Sequence, residues 1–205
     1  HPLGSLRRMV PTIGDLDFAI SSKQAGKVID WFCKMPGVKE VIDKGEAGAT
    51  ILLESGVHLD LLVGDPGDFG ALLQHFTGSK AHNIHLREIA IKRGYSLSEH
   101  GFKVERTGKI THFKSEEDLY GALGMQTPPP EIREDSGEIE AAILHKLPKL
   151  VDYGEVRGDL HLHSNYPIEP SHDLGEYSME AMAGKAQKLG YEYMGFSEHA
   201  PAVGT

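Results

Sequence analysis

Between residues 15 and 32 the apolar pattern changes from alternating to helical, and that change limits the folds open to the chain. Asp15-Leu-Asp-Phe-Ala-Ile20 alternates and is rich in β-formers, so it reads as a strand. Ser21 and Ser22 offer N-caps, and Ala25, Val28, Ile29 and Phe32 follow at i, i+3, i+4, i+7, the stripe of an amphipathic helix that Pro36-Gly37 ends. Residues 38–42, 49–54 and 57–63 read as further strands, with Glu54-Ser55-Gly56 supplying turn chemistry. The expectation is a sheet with a helix packed on it.

Beyond Asp65-Pro-Gly67 the period becomes helical. Phe69, Leu72, Leu73 and Phe76 mark one helix, Thr77-Gly78-Ser79 interrupts it, and another runs from Lys80 to Arg93 with Gly94 as its stop. Ser115 with Asp118 forms a variant capping box for a short helix through Leu123. Pro128–Pro130 reads as extended, Glu138 to His145 as helical, and Leu147 to Glu155 as a linker. From Gly158 the order strand, loop, helix (Ser178–Leu189), strand (Tyr193–Phe196) suggests a new α/β unit.

Composition is that of an ordinary globular chain: 205 residues, 40% hydrophobic and 25% charged. It holds no apolar run long enough to span a bilayer and no signal peptide, and Cys33 is its one cysteine, so an intrachain disulfide and a cysteine-rich zinc site are excluded. These features favour the cytoplasm. The net charge of −9 weighs mildly against nucleic-acid binding, while 12 histidines hint at metal chemistry. His1-Pro-Leu-Gly-Ser5 looks like a protease-site remnant, yet Gly4 and Ser5 fit the motif below and are read as native; the chain is expected to be truncated at both ends.

Asp15 and Asp17 are two apart on a predicted strand, so both carboxylates share a face, with Leu16, Phe18 and Ile20 on the other. In the strand 57–63, Asp60 points away from Val57, Leu59, Leu61 and Val63. If the strands are neighbours, three carboxylates converge, and such a cluster needs a cation of the Mg²⁺ type to relieve its repulsion. Carboxylates on an exposed sheet face are also commonly just solvated. Upstream, Gly4-Ser-Leu-Arg-Arg8 offers backbone amides, a hydroxyl and a guanidinium fork suited to phosphate.

Gly4-Ser-x-Arg-Arg8 followed by Gly14-Asp-x-Asp17 resembles the palm signature of polymerase-beta-like nucleotidyltransferases. The resemblance implies that Asp15, Asp17 and Asp60 hold two Mg²⁺ ions (Mn²⁺ able to substitute), with Asp60 as base near the primer terminus. It implies that Gly4, Ser5, Arg8 and Gly14 serve the nucleotide. Many family members carry Arg two residues after the third aspartate; here Leu62 stands there.

His75-Phe-Thr-Gly-Ser-Lys-Ala-His-Asn83 is similar to the Y-F-T-G-S…N motif of family X DNA polymerases, with His75 for the usual Tyr. It implies a cis peptide at Gly78–Ser79, Phe76 under the nucleotide sugar, close approach at Gly78, and Asn83 on the base. Lys80, Asn83 and Arg87 share one helix face, with His82, His85, Lys92 and Arg93 nearby, a local basic footprint. By resemblance Lys80 and Arg87 meet DNA, Arg87 at the template base pair, and Glu99 matches an acidic residue of that surface.

Gly158-Asp-Leu-His-Leu-His-Ser164 sets His161 and His163 two apart at a strand end, and Phe196-Ser-Glu-His-Ala-Pro201 follows. Both strings resemble the first motifs of PHP domains, which bacterial family X polymerases carry after the thumb. They imply Mn²⁺ or Zn²⁺ held by His161, His163, Asp173 (or His172) and His199 in a phosphoesterase or 3′–5′ exonuclease. Glu198 replaces the usual Asp, and the cluster is expected to be incomplete in this segment.

The resemblance therefore implies an α/β chain: a nucleotidyltransferase palm (1–67), a thumb (68–146), a linker (147–157) and the start of a β/α PHP barrel (158–205). The implied partners are dNTP and gapped or primed DNA, with no membrane, and the state monomeric. A template-independent nucleotidyltransferase and a non-catalytic gap-binding module remain as alternatives, to be separated by primer extension.

Overall fold

A computed structural model describes residues 1–167 and 174–199. The chain divides into two compact units, His1–Leu147 and Pro148–Thr205. The first begins with a short helical turn, α1 (Gly4–Arg7), then β1 (Leu16–Ser21), α2 (Ala25–Phe32), β2 (Val38–Lys44), β3 (Gly48–Leu53) and β4 (His58–Gly64). It continues with α3 (Phe69–Thr77), α4 (Lys80–Lys92), β5 (Tyr95–Ser98), β6 (Gly101–Val104), β7 (Ile110–Thr111), α5 (Glu116–Ala122) and α6 (Glu138–Ile143).

The four strands β1 to β4 form one sheet in the order β1-β4-β3-β2, with β1 parallel to β4 and the other pairs antiparallel. Both faces carry an apolar core, while β2 is exposed along most of its length. On one, Ile29 and Phe32 of α2 pack on Ala49, Ile51, Leu59, Leu61 and Val63, with Leu16 and Phe18 beside them. On the other, Leu3, Ala19, Phe69, Leu72 and Leu73 form a smaller core that Leu62 joins. Leu3 reaches that core because the segment before α1 pairs with β1: Leu3 N–H donates to Asp17 O and Ala19 N–H to His1 O, each at 2.8 Å. Ile20 departs from its expected core position. It is 38% exposed, since it sits near the end of an edge strand and borders a surface cavity with Val28 and Trp31.

The helical part gathers around Ala71, Leu86, Ile89, Leu97, Phe102, Phe113, Leu119, Tyr120, Leu123 and Ile139. Local signals set its boundaries. Ser115 caps α5 by accepting from Asp118 N–H, as the spacing predicts, and Ser79 caps α4 by accepting from His82 N–H. The small sheet runs β5-β6-β7, all antiparallel. Gly70 brings α3 against the chain before α5: its N–H donates to Phe113 O at 3.0 Å, and a Cβ there would meet the Ser115 carbonyl carbon at 2.2 Å.

The second unit opens with a 3₁₀ turn, Tyr153–Glu155, inside the span read as linker. It then forms one β-α-β unit: β8 (Gly158–Leu162), α7 (Met179–Leu189) and β9 (Tyr193–Phe196), with β8 and β9 parallel. Leu162, Ala181, Met182, Leu189 and Met194 line a cavity of about 550 Å³ on it. His172 and Asp173 lie outside the described residues.

A carboxylate cluster at the edge of the sheet

Parallel pairing of β1 with β4 sets Asp17 directly beside Asp60. Asp15 stands in a bend just ahead of β1 rather than on the strand. One oxygen from each of the three carboxylates lies within 4.8 Å of the others, with Asp15 exposed and the other two half-buried. Burial pushes the Asp17 carboxyl above its usual range, and the charges of Asp15 and Asp60 push it further. Oxygen-only donors of like charge at this separation fit a hard divalent cation.

Asp60 has a second neighbour that sequence reasoning missed. Thr50 of β3 is its cross-strand partner, and the Thr50 hydroxyl donates to Asp60 Oδ1. Strand alternation could have flagged Thr50 only once the β3–β4 register was known.

Gly4 lies against Asp17 with φ +52°, and a Cβ there would come within 2.4 Å of Asp17 Oδ2, so only glycine fits. Gly14, by contrast, has open space around it. A cavity of about 300 Å³ is lined by Leu3, Asp17, Phe18, Asp60, Leu62 and Phe76, which brings Phe76 together with two of the aspartates. Leu62, in the place of the family's arginine, packs into the apolar core beneath.

Arg8 reaches the Thr77–Gly78 turn. Its Nη1 donates to Thr77 O at 2.5 Å, and its Nε pairs with Glu134 at 2.6 Å. The Gly78–Ser79 peptide is cis, as the resemblance implies. Arg7, not singled out in the sequence, donates to Thr77 Oγ1 at 2.5 Å and to both oxygens of Glu116 at 3.1 and 2.6 Å. Arg133, fully buried, shares Glu116 at 2.5 Å and donates from Nε to Pro128 O. Burial alone would raise the Glu116 pKa, but the two guanidinium groups hold it below the usual carboxylate range.

On α4 the Asn83 amide is committed within the chain: Oδ1 accepts from Gln74 Nε2 at 2.6 Å and Nδ2 donates to His75 O at 2.7 Å. Lys80 is exposed. Arg87 Nη2 comes within 3.4 Å of His75 Nδ1, and Glu99 Oε2 within 3.7 Å, so His75, Arg87 and Glu99 form one group. Burial lowers the His75 pKa; Glu99 opposes this, while Arg87 and His100 add to it. His82 does not face solvent as a basic-face residue would. It is buried, with Nδ1 at 2.6 Å from Glu138 and Nε2 at 2.8 Å from the Tyr120 hydroxyl. His85 pairs with Asp135 at 2.7 Å.

In the second unit His161 and His163 stand with ring centroids 5.2 Å apart, and His163 stacks near-parallel on His199, also at 5.2 Å. Glu198 accepts from Ser164 N–H at 2.8 Å. His163 Nδ1 is buried without a hydrogen-bond partner among the described residues, and imidazoles so gathered fit a transition metal.

The family model for the DNA polymerase beta thumb matches residues 72–134. Over 199 residues the chain is 36% identical to the DNA polymerase/3′-5′ exonuclease PolX of Bacillus subtilis (strain 168), an alignment covering 96% of this chain. The chain is similar to the family X DNA polymerases. It spans 34% of that relative's length and so matches a segment of it. The thumb match covers α4, the small sheet and α5, so the Gly78–Ser79 turn, Asn83, Arg87, Glu99 and the Glu116–Arg133 pair fall within the matched span. Asp15, Asp17 and Asp60 precede it.

Proposed function

We propose that this chain carries the catalytic palm (1–67) and the thumb (68–146) of a DNA-directed DNA polymerase. In this reading it adds dNTPs to a primer 3′-end in gap-filling repair, as a cytoplasmic monomer. A linker (147–157) then leads to the start of a PHP metallohydrolase domain (158–205). The observation that carries the reading is the convergence of Asp15, Asp17 and Asp60 beside a cavity shared with Phe76.

The three carboxylates would hold two divalent ions, Mg²⁺ or Mn²⁺. Bound there, such ions supply Lewis acidity toward the 3′-hydroxyl and the departing pyrophosphate. The chain's own groups do the rest. Asp60 accepts the 3′-hydroxyl proton. Gly4 and Ser5 present backbone and hydroxyl donors to the triphosphate, and Gly14 leaves the approach to Asp15 open. Arg8, poised at the Gly78 turn, exchanges Glu134 or Thr77 O for a phosphate oxygen. Phe76 packs under the sugar, Asn83 meets the base, and Lys80, Arg87 and Glu99 face DNA. In the intact protein His161, His163, Asp173 and His199 contribute to a Mn²⁺ or Zn²⁺ phosphoesterase site with 3′–5′ exonuclease activity.

Primer extension on gapped DNA by the full-length protein tests this reading, with Asp60→Ala as control. The parent should extend the primer and the variant should give no product above background. Equal extension by both would refute the assignment, and extension without a template would move the chain to template-independent transfer.

A further inference from the structure

The four strands of the sheet carry one polar row: Asp17 on β1 pairs with Asp60 on β4, Asp60 with Thr50 on β3, and Thr50 with Asp43 on β2. Thr50 is the member of that row that donates to a carboxylate of the cluster. Its neighbours Ala49 and Ile51 are buried in the core on the opposite face, which pins the main chain on both sides. A β-branched side chain on a pinned strand has few rotamers, so the hydroxyl is held in place.

We propose that Thr50 is a positioning residue for Asp60, its hydroxyl engaging Oδ1 so that Oδ2 is the oxygen presented to the cation site. A carboxylate's terminal torsion is broad and roughly two-fold, so without an anchor Asp60 can offer either oxygen or both. An ionised carboxylate only accepts, and the threonine O–H supplies the matching donor. With Oδ1 engaged by the hydroxyl, that oxygen is the weaker ligand and two-oxygen chelation by Asp60 is disfavoured. One-oxygen ligation suits the near-octahedral shell of Mg²⁺, which keeps its other positions for water and phosphate oxygens. Such anchoring is what groups behind a metal ligand do, and losing one typically costs about 10- to 100-fold in metal affinity or activity. The inference rests on the proposed role of Asp60 as a ligand.

The test compares Thr50→Val, which keeps the shape without the hydroxyl, with Thr50→Ser, which restores the hydroxyl, both in the full-length protein. Mn²⁺ binding is titrated by the loss of free-ion EPR signal, and the component that Asp60→Ala removes is assigned to the cluster. Thr50→Val should weaken that component about 10-fold and lower kcat for primer extension by a similar factor, with KM for dNTP little changed. Thr50→Ser should recover most of both. A Thr50→Val protein matching an active parent in affinity and kcat overturns the inference alone, as does failure of serine to restore either quantity. A parent with neither primer extension nor Asp60-dependent Mn²⁺ binding overturns the polymerase reading and this inference with it.

Discussion

Replacing Glu116 with glutamine would leave two guanidinium groups facing an amide. Glu116 accepts from Arg7 at 2.6 and 3.1 Å and from Arg133 at 2.5 Å, with Arg133 fully buried and one of its terminal nitrogens already lacking a hydrogen-bond partner among the described residues. Glutamine keeps the volume but removes the charge, and turns an N–H₂ donor toward donors. Breaking a buried ion pair from one side costs about 3–5 kcal/mol, because the remaining charge stays buried and unpaired. At about 2–4 °C per kcal/mol for a chain near this size, the melting temperature should fall by roughly 6–20 °C. Urea unfolding of parent and variant provides the assay, with the midpoint expected to drop and the slope to stay constant. The pH dependence adds a sharper check. The folded-state pKa of Glu116 is depressed, so its stabilisation is present above the unfolded value and lost as pH falls through the folded one. The gap between parent and variant should therefore be full near pH 7 and shrink once pH drops below the ordinary carboxylate value of about 4.3. A loss under about 1 kcal/mol at neutral pH, or a gap that acid leaves unchanged, would refute the account of Glu116 as the shared counter-ion.

Two other expectations concern the helical part. His82 sits between Glu138 and Tyr120 with its pKa lowered by burial, so the stability it contributes is present above the ordinary imidazole range and lost as pH falls through the depressed value. Unfolding measured between about pH 7 and pH 5 should show the parent losing more stability than a His82→Asn variant, and equal losses would count against the neutral buried imidazole. Gly70→Ala should destabilise by about 1–3 kcal/mol despite alanine's better helix propensity, because the new methyl meets the Ser115 main chain; an unchanged melting temperature would show that this contact can open.

Much of the architecture was legible before any coordinates. The alternation over residues 15–20, the helical stripe from Ala25 to Phe32 and the capping serine Ser115 each belong to one short stretch of chain. Four-residue α1 carried no period to detect, and it became visible only as a turn against Asp17. His82 looked like part of a basic face, but its burial depends on Glu138 and Tyr120, which lie 56 and 38 residues away.

The candidate site divides the same way. Residue order alone determined that Asp17 points away from Leu16 and Phe18 and that Asp60 points away from its apolar neighbours, because strand geometry alternates side chains whatever the surroundings; Asp15, read as a strand residue, stands instead in the bend before β1. It also carried the glycine, arginine and Phe-Thr-Gly-Ser patterns by which the chain resembles family X polymerases. Only the tertiary structure decided that β1 and β4 are neighbours in a register that sets Asp17 beside Asp60, that Thr50 anchors Asp60, and that Arg7 and Arg133 share Glu116. Those pairings join residues far apart in the chain, and no local period records them; they follow from how the sheet and helices close over shared cores.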